Sequence, residues 1–247
     1  MERSINKYKH ILIGIIVKNC GQYLLNLTRQ IANIDYPKEY ITIVFLENDS
    51  DDKSWDILKT KIEPFLAALK FKAVYLAKKD FGFKLKHSSR HIVKVQKDRY
   101  NCISQARQYV VDKFFTGNDY IWWVDADFER IPPDTLNILL SYNLDCIAPL
   151  LKLKDGKLYD SASRKGSTPI KKLLDLNKQQ TLIEIDATNC QELMHRRVFE
   201  KGANFYIKGE KNSNLIQSQR MKNLGIKFYL TTQVSVIHHT ICGTKPL

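Results

Sequence analysis

Two carboxylates stand two residues apart in Asp125-Ala126-Asp127, directly after the apolar run Tyr120-Ile121-Trp122-Trp123-Val124. At the end of a strand, a turn can bring such a pair to one point. Hard cations such as Mg2+ and Mn2+ take oxygen ligands, often one or two carboxylates together with phosphate oxygens of a substrate. A diphosphate leaving group needs its charge neutralised as it departs. Two further polar clusters, Lys18-Asn19 and Glu47-Asn48-Asp49, also follow apolar runs, and His238-His239 closes a last one. Neutral imidazole suits Mn2+. Adjacent strand residues face opposite sides, so no more than one histidine of the pair can share a site with the carboxylates, and a lone histidine is usually a satisfied polar residue.

The surrounding elements must deliver these groups to one edge. Residues 11–17, β-branched and bounded by polar residues, read as a buried parallel strand. Further strands are expected at 41–46, 73–76, 120–124 and 145–150. Helices are expected at 23–34, 54–69 (with Pro64 as a blemish) and 97–115, and another opens at Ile131-Pro132-Pro133-Asp134, with proline tolerated in the first turn. Alternating strand and helix over 11–150 means an α/β domain with a mostly parallel sheet. Ligands of such sheets bind outside the carboxyl ends of the strands, where the polar clusters fall. The second half is less regular: a surface loop at 152–168, strands at 183–186, 227–230 and 234–237, and a helix at 215–224.

Composition bounds the class. The 247 residues suffice for one good-sized domain or two small ones, with 44% hydrophobic and 26% charged residues. The net charge of +13 favours polyanionic partners, but the lysines are dispersed. The five cysteines, at 20, 102, 146, 190 and 242, are odd in number and form no CxxC pair. That argues against a disulfide framework or structural zinc, and for a reducing compartment. The longest apolar run near the N-terminus, Ile11 to Val17, falls far short of the roughly 20 residues of a membrane span. A soluble, cytoplasmic protein is expected, with peripheral membrane contact left open through its lysines.

The stretch DRYNCISQARQYVVDKFFTGNDYIWWVDADFERIPPDTL resembles the central motif of GT-A glycosyltransferases, above all the Anp1/Mnn9-like and capsule-type mannosyltransferases and compact relatives in bacteria and large DNA viruses. FLENDSDDKS is similar to their loop after the second strand, KLYDSASRKG to their Tyr-Asp…Arg segment, and DATNCQELMHRRVFEKGANF and GEKNSNLIQSQRMKNLGIKFYLTTQVSVIHH to their later motifs. The resemblance runs from about residue 11 to 240. It implies a single GT-A domain over 1–247, with a nucleotide-sugar half at about 11–150 and an acceptor half at about 151–247. It also implies a UDP- or GDP-sugar donor, Mn2+ or Mg2+, and a glycan acceptor.

By the same resemblance Asp127 is the main metal ligand, and Asp125 contacts the ribose or, through water, the metal. Glu47 and Asn48 lie against base and ribose, beside Asn19 at the first strand end, and Arg99 and Arg107 sit near the donor pocket. The run VSVIHH resembles the family's Val-x-Val-x-His, which favours His238 as metal ligand over His239. Glu210 resembles the start of the acidic pair of inverting relatives, but Lys211 replaces the second acid, so Asp160 and Asp186 compete as catalytic base. Local alternatives are a helix-surface ion pair for Arg107 and a helix N-terminal acid for Glu210.

Other functions fit less well. A nucleotidyltransferase calls for a Gly-rich phosphate loop after the first strand, where Val17-Lys18-Asn19-Cys20-Gly21 has one glycine. A phosphatase of the Asp-x-Asp kind places its nucleophile there, where Lys18-Asn19 stands. A nucleic-acid-binding module interleaves basic residues with aromatics, as around Tyr75, Phe81 and Phe83. It leaves Asp125 and Asp127 unexplained.

Overall fold

A computed structural model describes residues 8–83, 93–159, 164–188, 191–209 and 213–239. The alternating half comprises β1 (Ile11–Val17), α1 (Gly21–Ala32), β2 (Ile41–Glu47), α2 (Ser54–Ile57), α3 (Glu63–Ala67), β3 (Ala73–Lys78), α4 (Val93–Phe114) and β4 (Tyr120–Trp123). There follow β5 (Phe128–Arg130), α5 (Thr135–Ser141), β6 (Cys146–Leu153), β7 (Arg164–Lys165), β8 (Thr168–Pro169), α6 (Ile170–Leu176), β9 (Leu182–Ile185), β10 (Leu193–His195), α7 (Arg196–Glu200), α8 (Asn214–Asn223) and β11 (Phe228–His238).

The described residues build one nine-stranded sheet in the order β3-β2-β1-β4-β10-β6-β11-β5, with β9 also paired to β11. Strands β1 to β4 are mutually parallel, as are β6 and β11. The short β10 runs antiparallel between β4 and β6, and β5 and β9 run antiparallel to β11. The carboxyl ends of β1, β2 and β4 therefore share one edge, which carries Asn19, Glu47-Asn48 and Asp125.

Both faces of the sheet are covered. Ile11, Ile13, Ile15 and Val17 point into a core shared with Leu24, Leu27 and Ile31 of α1 and Leu136 and Leu139 of α5. Leu12, Val44 and Leu46 point into a second core with Ala106 and Val110 of α4, Val198 of α7 and Met221 of α8. This two-sided burial is why β1 and β2 read as unbroken apolar runs. Gly14 is the exception within β1. A Cβ there would come within 2.7 Å of the Trp123 indole, so the bare backbone makes room for that ring.

Several local expectations need correction. The helix expected at 54–69 is split by a π turn over Leu58–Ile62, and Pro64 lies in the first turn of α3. Proline has no N–H for the α ladder, and the wider turn re-phases the chain ahead of it. Pro132 and Pro133 precede α5 rather than opening it. The Thr135 N–H donates to the Pro132 carbonyl at 3.1 Å, closing a turn before the helix. The loop expected at 152–168 holds the end of β6 and the β7–β8 hairpin. The two strands expected at 227–230 and 234–237 are one strand, β11, whose pairing with β6 shifts between Thr231 and Ser235. The short elements β5, β10, α6 and α7 were not expected.

Candidate active site

β4 ends at Trp123, but the ladder continues one step, the Val124 N–H donating to the Gly14 carbonyl at 3.0 Å. The chain then turns through Asp125-Ala126-Asp127 and re-enters the sheet as β5, whose Phe128 lies opposite His238 of β11. This crossing joins the middle of the chain to its late part. The His239 N–H donates to the Asp127 carbonyl at 3.1 Å. His238 Nε2 lies 3.1 Å from Asp127 Oδ1. One ligand atom from each of Asp125, Asp127 and His238 falls within 4.8 Å of the others.

The imidazole of His238 is fixed from all sides. It is 4% exposed, stacks on Tyr159 at 4.2 Å and meets the edge of Phe128 at 5.7 Å. Its Nδ1–H donates to the His239 carbonyl at 2.7 Å, which in the neutral ring leaves the Nε2 lone pair facing the carboxylates. His239 turns the other way, onto Tyr23 and Glu129.

Burial and the charge of Asp127 raise Asp125 against the opposing pull of His238 and Arg107, to a pKa of about 6. Burial alone would lower His238, but the hydrogen bond to Asp127 and the charges of Asp127 and Asp125 outweigh it and leave the imidazole raised. Two crowded carboxylates and an imidazole are a donor set that could hold a divalent cation; carboxylate oxygens suit Mg2+ or Mn2+, and an imidazole nitrogen suits Mn2+ better.

The neighbouring strand ends form one knitted rim. Asn19, at φ 51°, accepts from the Asp51 N–H at 2.8 Å, and its own N–H donates to Ser50. Glu47 is fully buried; Oε1 accepts from the Ser50 N–H at 3.0 Å and Oε2 lies 3.5 Å from Lys78 Nζ. Asn48 donates to Cys102 Sγ at 3.3 Å, while its buried Oδ1 has no hydrogen-bond partner among the described residues. Asp49 accepts from the N–H groups of Phe81 and Gly82 at 2.9 Å each, and Lys18 donates to the carbonyls of Asp49 and Phe83. Glu47 and Asn19 thus shape this rim from within.

Arg107 is not a surface residue. Its guanidinium lies 4.8 Å over the Trp123 ring and 5.4 Å from that of Phe205, and Nη1 lies 3.3 Å from Glu192 Oε1. Both side chains are about 5–6% exposed. Glu192 also accepts from the Thr188 hydroxyl at 2.9 Å. Sequence reasoning missed Glu192; the one available signal was a charged residue directly before the apolar Leu193-Met194. Arg99 is half-buried near the start of α4, beside the Tyr100 ring.

The acid candidates separate. Asp186 is paired with Lys222 at 2.6 Å and accepts from the Gly166 N–H, which hold its carboxyl below the usual range. It follows Ile185, which lies opposite Phe228, at the other end of β11 from His238. Glu210 and Asp160 lie outside the described residues.

The chain is similar to known proteins in sequence and in fold. The Anp1 family model matches residues 1–198. The chain is 27% identical over 146 residues to the mannan polymerase II complex anp1 subunit of Schizosaccharomyces pombe, covering 56% of this chain and 34% of that protein. It is 25% identical over 194 residues to the mannan polymerase I complex VAN1 subunit of Saccharomyces cerevisiae, covering 57% and 36%. A glycosyltransferase 25 family member of Aedes aegypti is 28% identical over 154 residues, covering 59% and 24%. The chain thus spans about a third or less of the length of these relatives.

Among solved structures, the mannosyltransferase PcManGT from Pyrobaculum calidifontis, in complex with GDP-Man and Mn2+, superposes with a TM-score of 0.67 at 11% identity, covering 96% of this chain and 59% of that one. S. aureus TarS 1–349 in complex with UDP-GlcNAc gives a TM-score of 0.62 at 12% identity, covering 95% and 59%. With the family model spanning most of its length and these folds superposing on nearly all of it, the chain belongs to the Anp1 family and is built on the GT-A glycosyltransferase fold.

Proposed function

We propose that the chain transfers a sugar from a nucleotide-diphosphate donor to a hydroxyl of a glycan acceptor, with a divalent cation held by Asp125, Asp127 and His238. The observation that carries this reading is the convergence of those three donor groups within 4.8 Å at the carboxyl edge of the parallel strands. The names of the relatives and of the archaeal neighbour favour a GDP-mannose-type donor with Mn2+.

When bound, the cation neutralises the diphosphate as it leaves. The chain's own residues do the rest. The β5–β11 crossing, whose pairing shifts between Ile237 and His238, sets His238 beside Asp127 before any ligand arrives. Arg107, kept in place by Glu192 and the Trp123 ring, adds fixed positive charge beside Asp125. The rim of Asn19, Glu47 and Asn48 receives the nucleoside, and Arg99 of α4 serves the donor pocket. Glu210, Asp160 and Asp186 remain the proposed bases for the acceptor hydroxyl. Asp186 is the least suited, because a carboxyl held low by Lys222 and Gly166 is a weak proton acceptor.

Among the described residues no helix is long and apolar enough to cross a membrane. The test is a thermal-shift and hydrolysis assay with GDP-mannose and UDP-GlcNAc, with and without Mn2+. Stabilisation and slow hydrolysis are expected only with the cation, and Asp127→Ala should abolish both. Metal-dependent turnover that survives Asp127→Ala would refute the site. No response to either nucleotide-sugar would refute the function.

A further inference from the structure

Gln191 is 2% exposed, yet among the described residues neither Nε2 nor Oε1 of its amide has a hydrogen-bond partner. A buried amide with none of its hydrogen bonds made is destabilising. Such a group at a site edge calls for a ligand.

Its place in the fold is set by its neighbours. Leu193 lies opposite Trp122, and the Trp123 N–H donates to the Glu192 carbonyl at 3.2 Å. One step further along the same ladder sets Gln191 abreast of Val124, next to Asp125. Side chains alternate along an extended segment. Glu192 turns toward α4, where it meets Arg107, so Gln191 shares the face of Leu193 and Val124. That face also carries Phe128 and Tyr159, the two rings against His238. Glu192 is tied to Arg107 and Thr188, which pins the backbone beside Gln191.

We propose that Gln191 reads the hydroxyl groups of the sugar being transferred, an inference that rests on the donor assignment above. The chemistry selects this ligand. A diphosphate oxygen only accepts and would leave the amide carbonyl unmatched. A sugar hydroxyl both donates and accepts, so neighbouring hydroxyls can satisfy both ends of the amide. The amide is neutral and adds no repulsion toward a diphosphate. Gln191 is then a specificity-determining residue, and its unmet hydrogen bonds are a stability cost of the free protein.

The test compares wild type with Gln191→Met, close in volume and lacking the amide, and with Gln191→Leu as a second variant. Binding of GDP-mannose, GDP, UDP-GlcNAc and UDP is measured by calorimetry in Mn2+, alongside Tm. Both variants should fold with a Tm equal to or above wild type and bind the nucleoside diphosphates as before. The advantage of the nucleotide-sugar over its diphosphate should fall about tenfold. Undiminished preference for the nucleotide-sugar in both variants overturns the proposal. An equal loss for the diphosphate also overturns it, since the amide would then serve the phosphates. If wild type binds none of the four compounds, the donor assignment itself fails, and this inference with it.

Discussion

His238 meets Asp127 twice over: its Nε2 lies 3.1 Å from the Asp127 carboxylate, and the N–H of the next residue, His239, donates to the Asp127 carbonyl. Side chain and main chain therefore meet at the same point, and the proposed cation site depends on the β5–β11 crossing as much as on its three side chains. His238→Ala should lower Mn2+ affinity by at least about tenfold while leaving the crossing intact. Mn2+ titration followed by electron paramagnetic resonance, with circular dichroism as the fold control, checks this. Unchanged affinity would remove His238 from the ligand set.

The Arg107–Glu192 pair is buried on both sides. Removing one partner strands the other charge, so Arg107→Met should cost about 3–5 kcal/mol. The double variant Arg107→Met with Glu192→Leu should recover much of that loss. Urea unfolding of the double-mutant cycle measures the coupling, and additive losses would contradict it.

Gly14→Ala places a methyl group within 2.7 Å of the Trp123 ring. Trp123 is itself wedged against Arg107 and Phe205, so it has little room to move. A loss of about 1–3 kcal/mol is expected. Tryptophan fluorescence should shift with it, and a variant as stable as wild type would show that the ring yields.

Asp145 is desolvated, which raises its pKa, but hydrogen bonds and charges from Arg197 and Lys201 outweigh this and hold it below the ordinary value. A carboxyl depressed in the folded state contributes stability above its unfolded pKa of about 3.9 and loses it as pH falls through the folded value. Asp145→Asn should therefore lower stability at neutral pH and flatten the acid limb below about pH 4–5. A pH series of denaturation midpoints tests it, and parallel curves for the two proteins would contradict it.

Much of this molecule is legible in local pattern. β1, β2 and β4 are runs buried on both faces, and such runs are encoded by adjacent residues alone. The acidic pair after Trp122-Trp123 stands out for the same reason. The split at Leu58–Ile62 and the single β11 were obscured because a helix pattern does not reveal a π turn, and Thr232-Gln233 interrupt the apolar run. Three-residue strands such as β5 and β10 are too short to show a period, and their pairings come from remote parts of the chain.

The sequence by itself determined which groups were available: Asp125 and Asp127 at a strand end, a histidine pair at another, and a polar rim at Asn19 and Glu47-Asn48. Only the tertiary structure decided which of them meet. His238 rather than His239 faces Asp127, Arg107 is buried on Glu192, and Asp186 is drawn to Lys222. The physical reason is that residue type and periodicity are local properties, whereas convergence depends on strand order and register, which the whole chain sets together.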